Sequence, residues 1–240
     1  MTLSRRLAAE ALGTALLLAV VVGSGIMGER LAAGNAAIAL LASSIATGCG
    51  LWVIITLFGP ISGARFNPAV TLALATTGEL QWRDVMPYVL TQVVFAFVGV
   101  AAAHLMFELP LFTASQHVRT GPSQWWSEVV AAAGLLLTIL LGSRVRPAWV
   151  GGLVAVYITG AYWFTASTSF ANPAVTLARA ATNTFAGIRP ADVPGFVVAE
   201  LIGAAVATLL GFWLYREPVR DSPREPAAPP PLGEGRVREP

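Results

Sequence analysis

The tripeptide Asn-Pro-Ala occurs twice, at Asn67-Pro68-Ala69 and at Asn172-Pro173-Ala174. Its residue types suit the start of a helix. Proline is well placed in the first turn, where its missing N–H costs nothing, and asparagine just before it can cap the free backbone donors. A helix start carries a partial positive charge, and the Asn67 and Asn172 amides can also donate hydrogen bonds. None of this is covalent chemistry. Two such starts brought face to face would make a small polar station of positive potential, one that accepts oxygen atoms and repels cations.

The flanks repeat with the tripeptides. Phe66 to Ala73 and Ala171 to Ala178 agree at seven of eight positions, from Asn67/Asn172 through Ala73/Ala178. Further matches surround them: Ala9-Glu10 with Gly13 in one half, Ser127-Glu128 with Gly134 in the other, and Gln92 paired with Glu200.

The elements that must position these residues are membrane spans. The chain has 240 residues, 55% hydrophobic and 12% charged, with mean hydropathy +0.68. Soluble domains carry roughly 25% charged residues. Stretches 11–28 and 36–62 hold no charge at all. A bilayer core needs roughly 20 apolar residues per helix. Stretches 7–27, 36–58, 85–107, 125–141, 149–164 and 193–214 meet or approach that length, whereas 67–77 and 172–182 are too short to cross. Arg5 and Arg6 before an apolar run resemble a secretory signal, but Glu10 lies inside that run, so it reads as a retained first span. Residues 216–240 are rich in proline and charge and are expected to form a disordered tail.

Three spans per half place the second half in the membrane upside down, the inverted-repeat plan whose site lies near the midplane on broken helices. The expected fold is therefore an all-α membrane protein: six transmembrane helices plus two re-entrant half-helices, one domain over 1–215 with halves about 1–107 and 120–215. All 15 basic residues are arginine. Eleven fall on one side of such a fold, and Arg30, Arg119, Arg179 and Arg189 on the other, which puts both termini in the cytoplasm.

The paired Asn-Pro-Ala repeats resemble the major intrinsic protein (aquaporin and aquaglyceroporin) family. So do Ile61-Ser62-Gly63-Ala64-Arg65-Phe66 before the first tripeptide, and Ala9-Glu10 with Gly13-Thr14 in the first span. The resemblance implies a bacterial plasma-membrane channel, a homotetramer with one pore per protomer, and passive transport. It also implies that Glu10 and Glu128 accept hydrogen bonds from the re-entrant loops, rather than relaying protons. Gln92 is expected to bond within the bundle; Glu200 stands where the family usually has an uncharged residue.

Family spacing from the tripeptides places the pore's outer constriction at Thr47, Gly160, Ser169 and Val175. Water-selective members resemble one another in having an aromatic residue, histidine and arginine there, and glycerol members two aromatics, glycine and arginine. The four residues here are small, and Val175 stands where the arginine usually is. The expected pore is wider and less polar, suited to neutral solutes larger than water: glycerol-like polyols, urea, or undissociated metalloid hydroxides such as arsenous acid. Arg179, one turn after Val175, is a candidate to substitute for the lost charge, but is expected rather to face a neighbouring loop or solvent. Trp163, Phe164 and Phe170 are candidates to narrow the outer mouth.

Two other readings compete. A water-selective channel is the nearer one. An ion-coupled transporter would also show inverted repeats, but no carboxylate stands beside either tripeptide. An enzyme, a cofactor or a metal site is not indicated: His104 and His117 lack partners of catalytic or ligand spacing, and His104 reads as an interfacial residue. Cys49 is the one cysteine and reads as a small buried apolar residue. Net charge +2 without a basic stripe does not point to nucleic acid.

Overall fold

The computed structural model describes residues 1–214; the tail expected at 216–240 lies outside them. Regular structure among the described residues is helical throughout. Eight α-helices follow in order: α1 (Leu3–Leu31), α2 (Ala36–Ser62), α3 (Pro68–Thr76), α4 (Trp82–Met106), α5 (Pro122–Val145), α6 (Val150–Phe164), α7 (Pro173–Arg179) and α8 (Val193–Leu214). Four of these (α1, α2, α4 and α5), together with α8 and its leading turn, are long and apolar enough to cross a membrane. Helix α6 has 15 residues, roughly 22 Å at 1.5 Å per residue. It completes the sixth span together with the 3-10 turn Pro147–Trp149 before it.

Local chemistry sets the helix ends. Asn35 Oδ1 accepts from Ala37 N and Ile38 N to open α2, and Gly63, at φ +90°, closes it in the left-handed conformation that glycine adopts without strain. The two short helices open as their sequences dictate, with Asn67 or Asn172 as cap and proline in the first turn. Helix α7 stops at Arg179, three residues before the expected end. There the Ala180 and Ala181 carbonyls turn away to accept from Ser115 N and Thr113 N of the α4–α5 loop.

Helix packing repeats between the halves. Helix α1 lies against α2 and α4, and α5 lies against α6 and α8; α2 against α6 joins the halves. Each short helix also packs on the other half's third span, α3 on α8 and α7 on α4. Close approach is built from small residues, as membrane helix pairs require. A Cβ at Gly99 would strike the Ala15 carbonyl of α1, and one at its counterpart Gly203 would strike the Val129 carbonyl of α5. Gly13 leaves room for the buried Phe66 ring. Gly134 is no counterpart of Gly13: it faces Tyr157 rather than the second re-entrant loop.

The outward surface is apolar. Leu12, Leu16, Ile38, Ile45, Trp52, Leu57, Val94 and Leu209 are all exposed, a surface that water does not tolerate over so many contiguous spans. Cys49 belongs to it. The expected buried cysteine is exposed, because α2 turns Thr47 and Gly48 inward and Cys49 away.

Candidate functional site

The two re-entrant loops clasp each other through the asparagines. Asn67 Nδ2 donates to the Ala171 carbonyl and Asn172 Nδ2 to the Phe66 carbonyl, both at 2.8 Å. Each Oδ1 caps its own helix, Asn67 from Ala69 N and Asn172 from Ala174 N and Val175 N. An amide NH2 has two donors, so one N–H per asparagine remains for the interior. Pro68 and Pro173 fix the first turns, and Ala69 and Ala174 are fully buried beneath them.

Backbone strain is stored in both loops at equivalent places. Ala64 and Phe66 have φ of +48° and +50°, and Ser169 and Ala171 have +52° and +50°. Non-glycine residues there cost about 1–3 kcal/mol each. Two buried carboxylates offset that cost. Glu10 accepts from Ser62 Oγ at 2.7 Å, Arg65 N at 3.0 Å, Phe66 N at 2.8 Å and Gln92 Nε2 at 2.8 Å. Glu128 accepts from Phe170 N at 2.9 Å and Ala171 N at 2.7 Å. Both are fully buried and neither borders the interior passage. Sequence reasoning missed their helpers, Thr71 and Thr176, although both stand in the repeated octapeptide. Thr71 exchanges hydrogen bonds with Gln92, and Thr176 Oγ1 donates to Glu200 at 2.5 Å.

Between the halves runs a passage enclosing roughly 800 Å³ of empty space, open solvent at its mouths included. Asn67 and Asn172 border it midway, and most of its wall is apolar: Leu17, Val21, Leu51, Val70, Val154, Ile158. Arg65 stands at the end shared with Tyr88 and Arg6, and Arg179 at the end shared with Phe170 and Arg119. No aspartate or glutamate borders it among the described residues.

A family model for the major intrinsic proteins matches residues 1–158. The chain belongs to that family. It is 60% identical over 214 residues to the aquaglyceroporin AqpS of Rhizobium meliloti, covering 89% of this chain and 91% of that one. It is 31% identical over 166 residues to a probable glycerol uptake facilitator of Thermotoga maritima, 61% and 70% of the two chains. The X-ray structure of the aquaglyceroporin from Plasmodium falciparum superposes with a TM-score of 0.69 over 88% of this chain and 96% of that one, at 19% identity. The chain is thus a multi-pass membrane channel protein with the fold of its family.

Within this major intrinsic protein the outer end differs from the expectation at two places. Thr47, Ser169 and Val175 border the passage, but Gly160 does not. Gly160 is exposed on the outer face of α6, and a Cβ there would meet nothing within 4 Å. Tyr162 takes the inward place, its hydroxyl 3.2 Å from Thr47 Oγ1. The second is Arg179, loop-facing as expected but not open to solvent. It is 3% exposed. Its Nε donates to the Ala186 carbonyl of the following loop, as a loop-facing residue would, yet its guanidinium also borders the passage. The outer end is therefore bulkier and more polar than four small residues imply. Phe170 borders it too, whereas Trp163 and Phe164 face outward and Trp163 Nε1 bonds Ser44 Oγ.

His104 is no interfacial residue. It is 1% exposed, with Nδ1 2.6 Å from the Pro110 carbonyl and Nε2 2.7 Å from Thr182 Oγ1, and it ties α4 to the segment after α7.

Proposed function

We propose that this protein is a passive channel for small neutral solutes bearing several hydroxyl groups, glycerol-like polyols first and undissociated metalloid hydroxides such as arsenous acid beside them. The observation that carries the reading is the charge pattern of the passage: arginine at each end, asparagine amides at the centre, apolar walls between, and no carboxylate among the described residues. A cation meets an arginine at either end and the positive ends of the half-helices at the centre, and any ion would have to shed its water against Leu51, Val70, Val154 and Ile158. A neutral triol loses little on leaving water, because Thr47, Tyr162, Ser169 and the asparagines offer donors and acceptors along one side. Glycerol and arsenous acid both carry three hydroxyls on a compact apolar centre. The relatives named as an aquaglyceroporin and a glycerol uptake facilitator support the polyol class. An ion-coupled transporter would hold its coupling ion at acidic or carbonyl ligands near the midplane, and no acid borders this passage among the described residues.

The test is light scattering on proteoliposomes after rapid mixing. Glycerol and arsenous acid should equilibrate at least tenfold faster than in empty liposomes, with no dependence on a proton or sodium gradient. Fast water flow with solute rates equal to empty liposomes would leave a water channel instead.

The site assignment follows the same reading: Asn67, Pro68, Ala69, Asn172, Pro173 and Ala174 form the central station, Thr47, Tyr162, Ser169 and Val175 the outer constriction, and Glu10 and Glu128 the loop supports. The apolar outward faces suit a homotetramer in the bacterial inner membrane. The arginine excess at the end with Arg6, Arg65 and Arg83 puts both termini in the cytoplasm. A reporter enzyme active only outside the cytoplasm should be silent when fused after Leu214 and active when inserted in the α4–α5 loop near Gln116.

A further inference from the structure

The outer end holds a guanidinium for which neither the loop supports nor the central station accounts. Val175, directly after the second Asn-Pro-Ala, is apolar and borders the passage. Arg179, one helical turn on, is buried and borders the same passage. Its position is fixed from two directions. The guanidinium carbon lies 3.3 Å from the centroid of the Phe170 ring, a stacked contact, and Nε is held by the Ala186 carbonyl. Among the described residues Arg179 forms no salt bridge and no other hydrogen bond, so its two terminal NH2 groups are left for the passage. Arg119 approaches the same ring at 5.1 Å and spends its own donors on the Gly187 and Ser167 carbonyls. Glu128 and Glu200 do not border the lumen, although both lie near enough behind the wall to act on Arg179 electrostatically.

A second, independent feature lies in the same end. Ser169 Oγ is buried, borders the passage and has no hydrogen-bond partner. Beside it the Thr47 and Tyr162 hydroxyls pair with each other at 3.2 Å and still have unused lone pairs. Buried polar groups without partners are rare in folded proteins. Ser169 Oγ is thus an orphan in the wall of the passage.

We infer that Arg179 is the cation-rejecting and solute-orienting residue of this channel, replacing a charge at Val175, and that with the Ser169, Thr47 and Tyr162 hydroxyls it forms an outer station for the oxygen atoms of a small neutral polyol. This rests on the neutral-solute reading above. The guanidinium donates to the solute's hydroxyl oxygens, the serine hydroxyl completes the set, and Val175 and Phe170 receive the carbon side. Protons and protonated amines meet a fixed positive charge in a place from which water screening is largely excluded.

The experiment compares the parent protein with Arg179→Met and Arg179→Lys in proteoliposomes. Three fluxes are read: glycerol by light scattering, methylammonium by uptake, and protons by a trapped pH dye under an imposed potential. Loss of the charge in Arg179→Met should raise methylammonium and proton flux at least tenfold while slowing glycerol about threefold. Arg179→Lys should keep both cation fluxes at the parent level. A merely structural role moves all three together, down on collapse or up on widening. Arg179→Met that still conducts glycerol yet admits no more cations than the parent overturns the inference. So does failure of both variants to fold, which would make the guanidinium a packing element. The parent's own glycerol flux tests the channel reading separately, and the cation comparison tests the role of Arg179.

Discussion

Glu128→Ala should yield a protein that either fails to survive purification in detergent or carries no solute above empty liposomes. The substitution strips the acceptor from Phe170 N and Ala171 N, which bond Glu128 at 2.9 and 2.7 Å. Each buried N–H left without a partner costs about 1–3 kcal/mol. Ala171 is also held at φ +50°, a conformation that costs about 1–3 kcal/mol and persists only while its surroundings enforce it. The two orphaned N–H groups together lose about 2–6 kcal/mol, a large share of the 5–15 kcal/mol by which folded proteins are stable. Glu10→Ala should be as severe, since Glu10 holds Arg65 N, Phe66 N, Ser62 and Gln92. The control is Glu200→Gln. Glu200 stands in the second half where Gln92 stands in the first, bonded to the half-helix threonine, but its Oε2 is buried without a partner. Glutamine offers an N–H there, so the thermal midpoint of Glu200→Gln should equal or exceed that of the parent. Fluorescence-detected size exclusion after a heat step reads all three variants. Full stability and transport in Glu128→Ala would show that the loops hold their shape without the carboxylate.

That contrast also shows where the sequence was informative. Asn-Pro-Ala is a local signal: cap and first-turn proline act within four residues, so both short helices start where the residues say. The repeat carried the topology, because halves of three spans each, an odd number, must be inverted with respect to one another. The facing of each span was harder to read. In a water-soluble helix a polar stripe marks the outside, but in lipid both faces are apolar and the stripe vanishes. Gly160 and Tyr162 differ by two residues, about 200° around a helix of 3.6 residues per turn. Only the geometry of the 165–171 loop decides which of them points inward. Cys49 was misread for the same reason. Arg179 was legible only in part: its partners, Phe170 before the helix and Ala186 after it, are brought to it by two loops that no local pattern connects.

Those corrections set the terms for Val175→Arg, the substitution with the second largest expected effect. Val175 is 5% exposed and borders the same passage as the Thr47–Tyr162 pair. An arginine there adds a long cationic side chain to an end already occupied by Tyr162, Phe170 and Arg179. Two cations one turn apart in this buried end repel more than the pair would on a solvated helix, so folding is checked by size exclusion before flux is read. Glycerol influx should fall at least tenfold, which corresponds to about 1.4 kcal/mol of added barrier, with a smaller loss of water flow. Gly160→Leu separates the constriction from general disturbance of α6. It places a large side chain where a Cβ meets nothing and should leave both fluxes at the parent level, whereas Tyr162→Ala should speed glycerol. Undiminished glycerol flux in Val175→Arg would put the narrowest point elsewhere, toward Asn67 and Asn172. A strong effect in Gly160→Leu with none in Tyr162→Ala would instead restore glycine as the inward residue of α6.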